Sequence, residues 1–364
     1  MTVPLFSAKP ARLGVDISST AVKLIQLEKR RGGYRTTAFA IEPLPHGAVQ
    51  GKSITDTEAV ASALTRAVER ARVKNRHLCM AVPTSSAVSR VLHIDNPGDE
   101  FELEEQVRLE ADQYIPFPID EVNFDFEPIQ TDILGKQKKR RSGEAGGADV
   151  LMAATRTDNV DSRVAVAEAA NMTVDVVDIE SFALQNAFTE ILAPTLAPEE
   201  RSQPVALFDL GDTTTTLSIF VDDDIVYTRE HEGGGQQLTS EIAAQYGLSL
   251  EEAEQRKRDD SLPEDYQRKV LQPYLDSLAM NVERFIQYYY SESSGSTVSL
   301  ILLGGGAANT AGAVERINNE TGVATRLANP FAALAKGPGV STEQMARHGT
   351  AMLIACGLAL RSFD

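Results

Sequence analysis

Two aspartates, set alike in the two halves of the chain, are the side chains best placed to do chemistry. Asp16 comes near the end of an apolar run beginning at Leu13; Ser18, Ser19 and Thr20 follow it, and apolar residues resume at 22–27. Asp209 repeats the pattern: Phe208, Asp209 and Leu210 lead into Gly211, Asp212, Thr213 and Thr214, and apolar residues resume at 217–221. Each segment reads as a strand, a tight polar turn and a second strand. Facing each other across a cleft, two such hairpins would make a phosphate clamp. The turn amides and hydroxyls of Ser18, Ser19, Thr213 and Thr214 would hold phosphate oxygens. The carboxylates of Asp16 and Asp209 would hold Mg²⁺, a hard cation that keeps several of its waters. Lys23 on the first outgoing strand is a further candidate phosphate partner. Either hairpin alone reads equally as a β-turn using Asp and Ser/Thr for local hydrogen bonds. It is their matched placement that argues for one shared ligand, and a repeat spanning half the chain indicates a duplicated domain pair rather than a solenoid.

A third element joins the pair. Residues 300–303 form a short apolar run ending in Gly304, Gly305 and Gly306, followed by the start of a helix. Glycines there let the backbone approach a ligand, although a tight strand-to-helix turn explains them as well. Three adjacent glycines are not the spaced dinucleotide fingerprint. Gly47, Gly51, Lys52 and Ser53 imitate a P-loop, but the glycine spacing is one residue short and Pro43 and Pro45 stand where a buried strand should lead in. That motif is rejected. The five histidines are scattered without metal-ligand spacing, and no Gly-x-Ser-x-Gly turn is present. Asp222, Asp223 and Asp224 read as a solvated hairpin turn. The run Lys136, Lys138, Lys139, Arg140 and Arg141 reads as an exposed loop.

The elements that must position these groups follow from periodicity. Residues 57–72 form an amphipathic helix with Val60, Ala63, Leu64, Ala67, Val68 and Ala71 on one face. Residues 78–94 read as strands. Asp99 and Glu102 make a capping box for a helix to about Tyr114, with Leu103, Val107, Ala111 and Tyr114 inward, which Pro116 and Pro118 terminate. Residues 193–204, with three prolines, read as a linker. In bulk, 364 residues allow two domains, and 42% hydrophobic with 24% charged residues is ordinary globular composition. A net charge of −17 disfavours nucleic acid and anionic lipid as partners. Cys79 and Cys356 sit in apolar runs and read as buried free thiols. No stretch reaches the ~18 apolar residues of a membrane span, and residues 1–10 lack the pattern of a secretory signal, so membrane contact is expected only through partners.

With these residues in view, the chain resembles the actin-like ATPase superfamily, and within its FtsA/PilM branch the PilM type IV pilus assembly proteins. The superfamily pattern matches Asp16 to Lys23 and Asp209 to Thr216 as phosphate hairpins, Glu180 to Glu190 as a connecting helix, Gly304 to Gly306 as the adenosine loop, and Ala351 to Arg361 as the second connecting helix. Gly233, Gly234 and Gly235 resemble the glycine step that opens the second domain's helical part. Ala253, Glu254 and Lys257 resemble the Ala-Glu-x-x-Lys helix whose acid and lysine touch the ribose. The PilM-like stretches run from Leu13 to Leu24, Glu110 to Pro118, Ala328 to Phe331 and Ile354 to Asp364.

The resemblance implies an α/β, duplicated actin-like ATPase fold with an FtsA-type inserted subdomain. The first domain would span 1–204 with the insertion at about 85–149, the second 205–340, and 341–364 would return to the first. It implies ATP and Mg²⁺ as ligands, with Gly211, Gly234, Glu254, Lys257 and the Gly304–Gly306 turn joining the residues above at the nucleotide. Glu180 matches the water-positioning glutamate of the chaperones, giving at most a slow ATPase; a surface helix-start carboxylate is the other reading. The implied partner is the N-terminal cytoplasmic peptide of PilN, docking against the inserted subdomain and first domain, with pilus ATPases and the platform protein as further partners. The implied location is cytoplasmic, at the inner face of the inner membrane. The rival functions are an FtsA-like division filament, which would carry a C-terminal membrane helix, a sugar or acid kinase of the same fold, and a nucleotide-free scaffold.

Overall fold

In the computed structural model, the described residues are 11–95, 99–129, 147–293 and 297–363. They form two compact units, one of 1–81 with 167–364 and one of 82–166. The basic run Lys136 to Arg141 lies outside the described residues.

The larger unit holds the duplication. Its first sheet orders the strands Thr173–Ile179, His77–Val82, Leu13–Ile17, Ala21–Arg30 and Gly33–Pro43, with Ala335–Lys336 added at one edge. Its second sheet orders Ala324–Leu327, Leu300–Gly304, Val205–Leu210, Thr214–Val221 and Asp224–Glu232. Strand for strand the orders correspond. In each, the central strand pairs antiparallel with the outgoing arm of its hairpin and parallel with a later strand. Central strands covered on both faces read as continuous apolar runs, as Val205–Leu210 does. Asp16 and Asp209 therefore lie at the carboxyl ends of equivalent strands, where open α/β sheets bind ligands.

Two helices run beneath these strands. Leu353–Leu360 lies against the first strand so closely that a Cβ on Gly14 would come 2.1 Å from the Ala355 carbonyl oxygen. Glu180–Ala187 crosses the same helix, and a Cβ on Gly357 would fall 1.7 Å from the Ala183 carbonyl oxygen. Only glycine permits either approach. The chain then continues through a π-helical turn at Phe188–Leu192, and Phe188 stacks on Phe220 of the second sheet with ring centroids 3.8 Å apart. The expected linker at 193–204 is instead a folded connection. Ala193 is buried, Pro198–Arg201 forms a helical turn, and Arg201 pairs with Asp223. Pro194 and Pro198 stand at the starts of short helical turns, where the missing N–H costs nothing. The Asp222–Asp224 turn is solvent-exposed at Asp222 and Asp224, as read, while Asp223 binds Arg201 and Gln185 donates to Asp224 at 3.0 Å.

The smaller unit is a three-stranded antiparallel sheet, Ala87–Ile94, Ala148–Arg156 and Val122–Ile129, covered by the helix Glu100–Ala111. The Asp99–Glu102 capping box forms, and Val107 and Ala111 are buried with Leu92, Ile94, Val150 and Met152. Tyr114, expected inward, lies past the helix end and is exposed, with the Arg90 guanidinium 5.9 Å from its ring centre. Cys79 and Cys356 are both buried. Among the described residues no helix is long and apolar enough to cross a membrane.

Candidate functional site

The first hairpin presents an ion pair. Asp16 and Lys23 are direct register partners, and Lys23 Nζ lies 2.8 Å from Asp16 Oδ2 with both side chains largely buried. Burial alone would lower the Lys23 pKa. Asp16, by charge and hydrogen bond, and then Asp209 and Glu180, outweigh it, so Lys23 is held above its ordinary value. This lysine therefore feels carboxylates from the first hairpin, the second hairpin and the start of the Glu180–Ala187 helix. Asp209 shows the same convergence from the other side. Burial pushes its pKa up, Asp16 and Glu230 push with it, and Lys23 and Lys52 oppose. The two hairpin carboxylates thus meet in one electrostatic cluster.

Lys52 and Glu230 complete that cluster. Lys52 pairs with Glu230, and its Nζ lies 3.6 Å from Glu180 Oε2. Burial again works against its charge, and Glu180, Glu230 and Asp209 hold its pKa above the usual value. Sequence reasoning missed both residues. Lys52 belongs to the rejected P-loop look-alike, which folds as a small hairpin, Val49–Gln50 with Ser53–Ile54, so the motif was wrong while its lysine still reaches the site. Glu230 lies in an alternating edge strand, where a glutamate carries no distinctive signal.

The second hairpin is built from glycine backbone. The Gly211 N–H donates to the Thr214 carbonyl at 2.9 Å, the Gly235 N–H to the Gly211 carbonyl at 2.9 Å, and the Gln236 N–H to the Asp212 carbonyl at 2.9 Å. A Cβ on Gly234 would stand 2.3 Å from the Gly211 carbonyl oxygen, so the hairpin turn and the glycine step touch through bare backbone. Gly305, at φ +88°, is equally confined: a Cβ would come 2.5 Å from Asp209 Oδ1 and 2.4 Å from the Leu210 carbonyl oxygen. Gly304 is the register partner of Asp209, while a Cβ on Gly306 would meet nothing within 4 Å. The glycine turn therefore packs under the Asp209 carboxylate on one side and is open on the other.

Glu254 and Lys257 form a network with Thr239. The Thr239 hydroxyl donates to Glu254 at 2.8 Å, Lys257 donates to the Thr239 hydroxyl at 2.6 Å, and Lys257 lies 2.5 Å from Glu254. Burial would raise the Glu254 pKa, but Lys257, Thr239 and Arg258 hold it below the usual value. Asp212 in the hairpin turn is raised, by burial first, and both Glu254 and Lys257 act on it. The turn and this helix therefore share an electrostatic neighbourhood. Ser18 departs from expectation. Its N–H and its hydroxyl both donate to the Ala21 carbonyl at 3.0 Å, so its donors serve its own turn. Ser19, Thr213 and Thr214 are half-buried at their turns.

Carboxylates on two equivalent strands, ammonium groups beside them and glycine backbone closing in from three segments fit a phosphorylated ligand. The duplicated sheets, the crossed helices and this cluster define an actin-like ATPase fold. The family model described as type IV pilus assembly protein PilM matches residues 14–363, and the chain belongs to that family. A solved structure described as the PilM–PilN type IV pilus biogenesis complex is 27% identical, covering 97% of this chain and 99% of that one with a TM-score of 0.77. The ethanolamine utilization protein EutJ from Carboxydothermus hydrogenoformans is 14% identical over 98% of this chain and 91% of its own, with a TM-score of 0.53; that likeness shows the fold alone.

Proposed function

We propose that this chain is a nucleotide-binding component of type IV pilus assembly that binds the cytoplasmic N-terminal segment of PilN, and that its nucleotide state alters that binding. The observation that carries the nucleotide reading is the meeting of Asp16 and Asp209 in one cluster with Lys23 and Lys52. ATP is the ligand the arrangement suits. Gly211, Gly234 and the Gly304–Gly306 turn offer backbone to its phosphates, together with Lys23, Ser19, Thr213 and Thr214. Glu254 and Lys257 take the ribose. Asp16 and Asp209 would hold a Mg²⁺ ion, which would supply neutralisation of phosphate charge. Glu180, at the start of the connecting helix, is the residue to orient a water for slow hydrolysis.

PilN as partner rests on family membership and on the likeness to the PilM–PilN complex. PilN would also supply the membrane contact, placing the protein at the inner face of the inner membrane. The two hairpins come from the two halves of the duplication, so a ligand drawn to both biases the angle between the halves. A partner that binds one angle better is then coupled to the nucleotide. The alternatives of a division filament and a small-molecule kinase are not favoured by the family to which the chain belongs. The test is the affinity of a PilN N-terminal peptide with and without saturating Mg·ATP. A change of about fivefold or more is expected for coupling of ordinary size, and identical affinities would refute the coupling.

A further inference from the structure

Lys52 occupies an unusual place for a lysine. The two-residue loop between Val49–Gln50 and Ser53–Ile54 is Gly51–Lys52, with φ +51° and +66°. Both residues are left-handed, as in the tight hairpin turn that favours Asn-Gly, and the second position strongly prefers glycine. A lysine held there is strained, and strain of this kind gathers where a side chain is used. The side chain is largely buried and lies between Glu180, on the connecting helix, and Glu230, on a strand of the second half. Lys23, the other cation of the cluster, is fixed by register to Asp16. Lys52 instead stands at the tip of a short hairpin and reaches across to Glu180 and Glu230 on other elements, so these partners can change without disturbing its own hairpin.

Charge makes the same point. The cluster holds the carboxylates of Asp16, Glu180, Asp209 and Glu230 against the ammonium groups of Lys23 and Lys52. A phosphate added on the side of Glu180 and Glu230 is repelled unless Lys52 turns to it. A terminal phosphate carries more charge than either carboxylate and accepts from an ammonium point charge in any orientation.

We propose that Lys52 is the terminal-phosphate sensor of the site: it rests on Glu180 and Glu230 and exchanges them for the last phosphate of a nucleoside triphosphate. The exchange parts Lys52 from Glu180 and undoes the contact joining the Lys52 hairpin to Glu230, so a triphosphate is distinguished from a diphosphate. This inference rests on the nucleotide reading above.

The test is equilibrium binding of ATP, a non-hydrolysable ATP analogue and ADP, each with Mg²⁺, to the full chain and to its Lys52→Gly and Lys52→Asn variants. Glycine and asparagine both suit the left-handed turn, so both variants are expected to fold, with thermal melting as the check. ATP and analogue affinity should fall by about tenfold or more, the worth of one lost charge-assisted contact, while ADP affinity changes less than about threefold. Equal changes for ATP and ADP, or no change, would overturn the role of Lys52 and leave the nucleotide reading standing. A wild-type chain that binds neither nucleotide would refute that reading, and this inference with it.

Discussion

Asp16 and Lys23 stand directly opposite each other in the first hairpin, joined at 2.8 Å and nearly shut off from solvent. Removing one member of such a pair strands the other. Lys23→Met should therefore destabilise the protein by about 3–5 kcal/mol, the usual cost of leaving a buried charge alone, read from the urea midpoint. The pair also sets an alkaline limit. Because the folded pKa of Lys23 lies above its unfolded value near 10.5, its contribution is complete below that pH and is lost as pH rises through the folded value. Wild type should show this loss and the variant should not. A cost under about 1 kcal/mol would place the pair in the class of solvated surface bridges.

Asp209 works in the opposite sense. Its carboxyl is raised above the ordinary value, chiefly by burial, so the folded chain binds a proton more tightly than the unfolded one. Stability therefore falls as pH rises from the unfolded pKa through the folded one, and the penalty persists at neutral pH. Asp209→Asn should melt higher than wild type at pH 7 yet bind Mg·ATP more weakly, a trade of stability for function. A lower melting temperature would show that Asp209 is held by its lysines rather than burdened by its burial.

Gly357 is where the two connecting helices meet. Alanine usually stabilises a helix relative to glycine by up to about 1 kcal/mol. Here its Cβ would sit 1.7 Å from the Ala183 carbonyl oxygen, a backbone atom that cannot turn aside. Gly357→Ala should cost at least about 3 kcal/mol, at the upper end of overpacking effects, measured by denaturant unfolding. Unchanged stability would mean that the helices can separate freely.

Glu180 tests hydrolysis separately from binding. Glu180→Gln keeps the shape and removes the charge. Any ATP turnover should fall about a hundredfold, as for loss of a group that handles a proton, while ATP affinity holds or improves because one acid of the cluster is gone. Unchanged turnover would leave Glu180 as a carboxylate favoured by its helix start.

Much of this architecture was legible in the sequence because repetition made it so. The strand–turn–strand pattern at Asp16 and at Asp209 folds as read, on equivalent strands of two sheets with matching order. The capping box at Asp99 and the buried cysteines are likewise local signals that tertiary structure keeps. What escaped were facts of long-range geometry. Ser18 looks like a phosphate donor until its turn closes on the Ala21 carbonyl. The proline-rich connection at 193–204 looks loose until Arg201 finds Asp223 and Ala193 enters the core. Lys52 and Glu230, far apart in the chain, become neighbours only when the two halves are assembled; the local pattern around Lys52 is a misleading one, and Glu230 carries none.

The most direct measurement is a double-mutant cycle on Mg·ATP binding with Asp16→Asn, Asp209→Asn and the two combined. If both carboxylates act on one ligand, the wild type binds one nucleotide per chain, each substitution weakens it, and the combined loss departs from the sum by roughly 0.5 kcal/mol or more. Strictly additive losses, or binding indifferent to either aspartate, would contradict a shared site between the two halves.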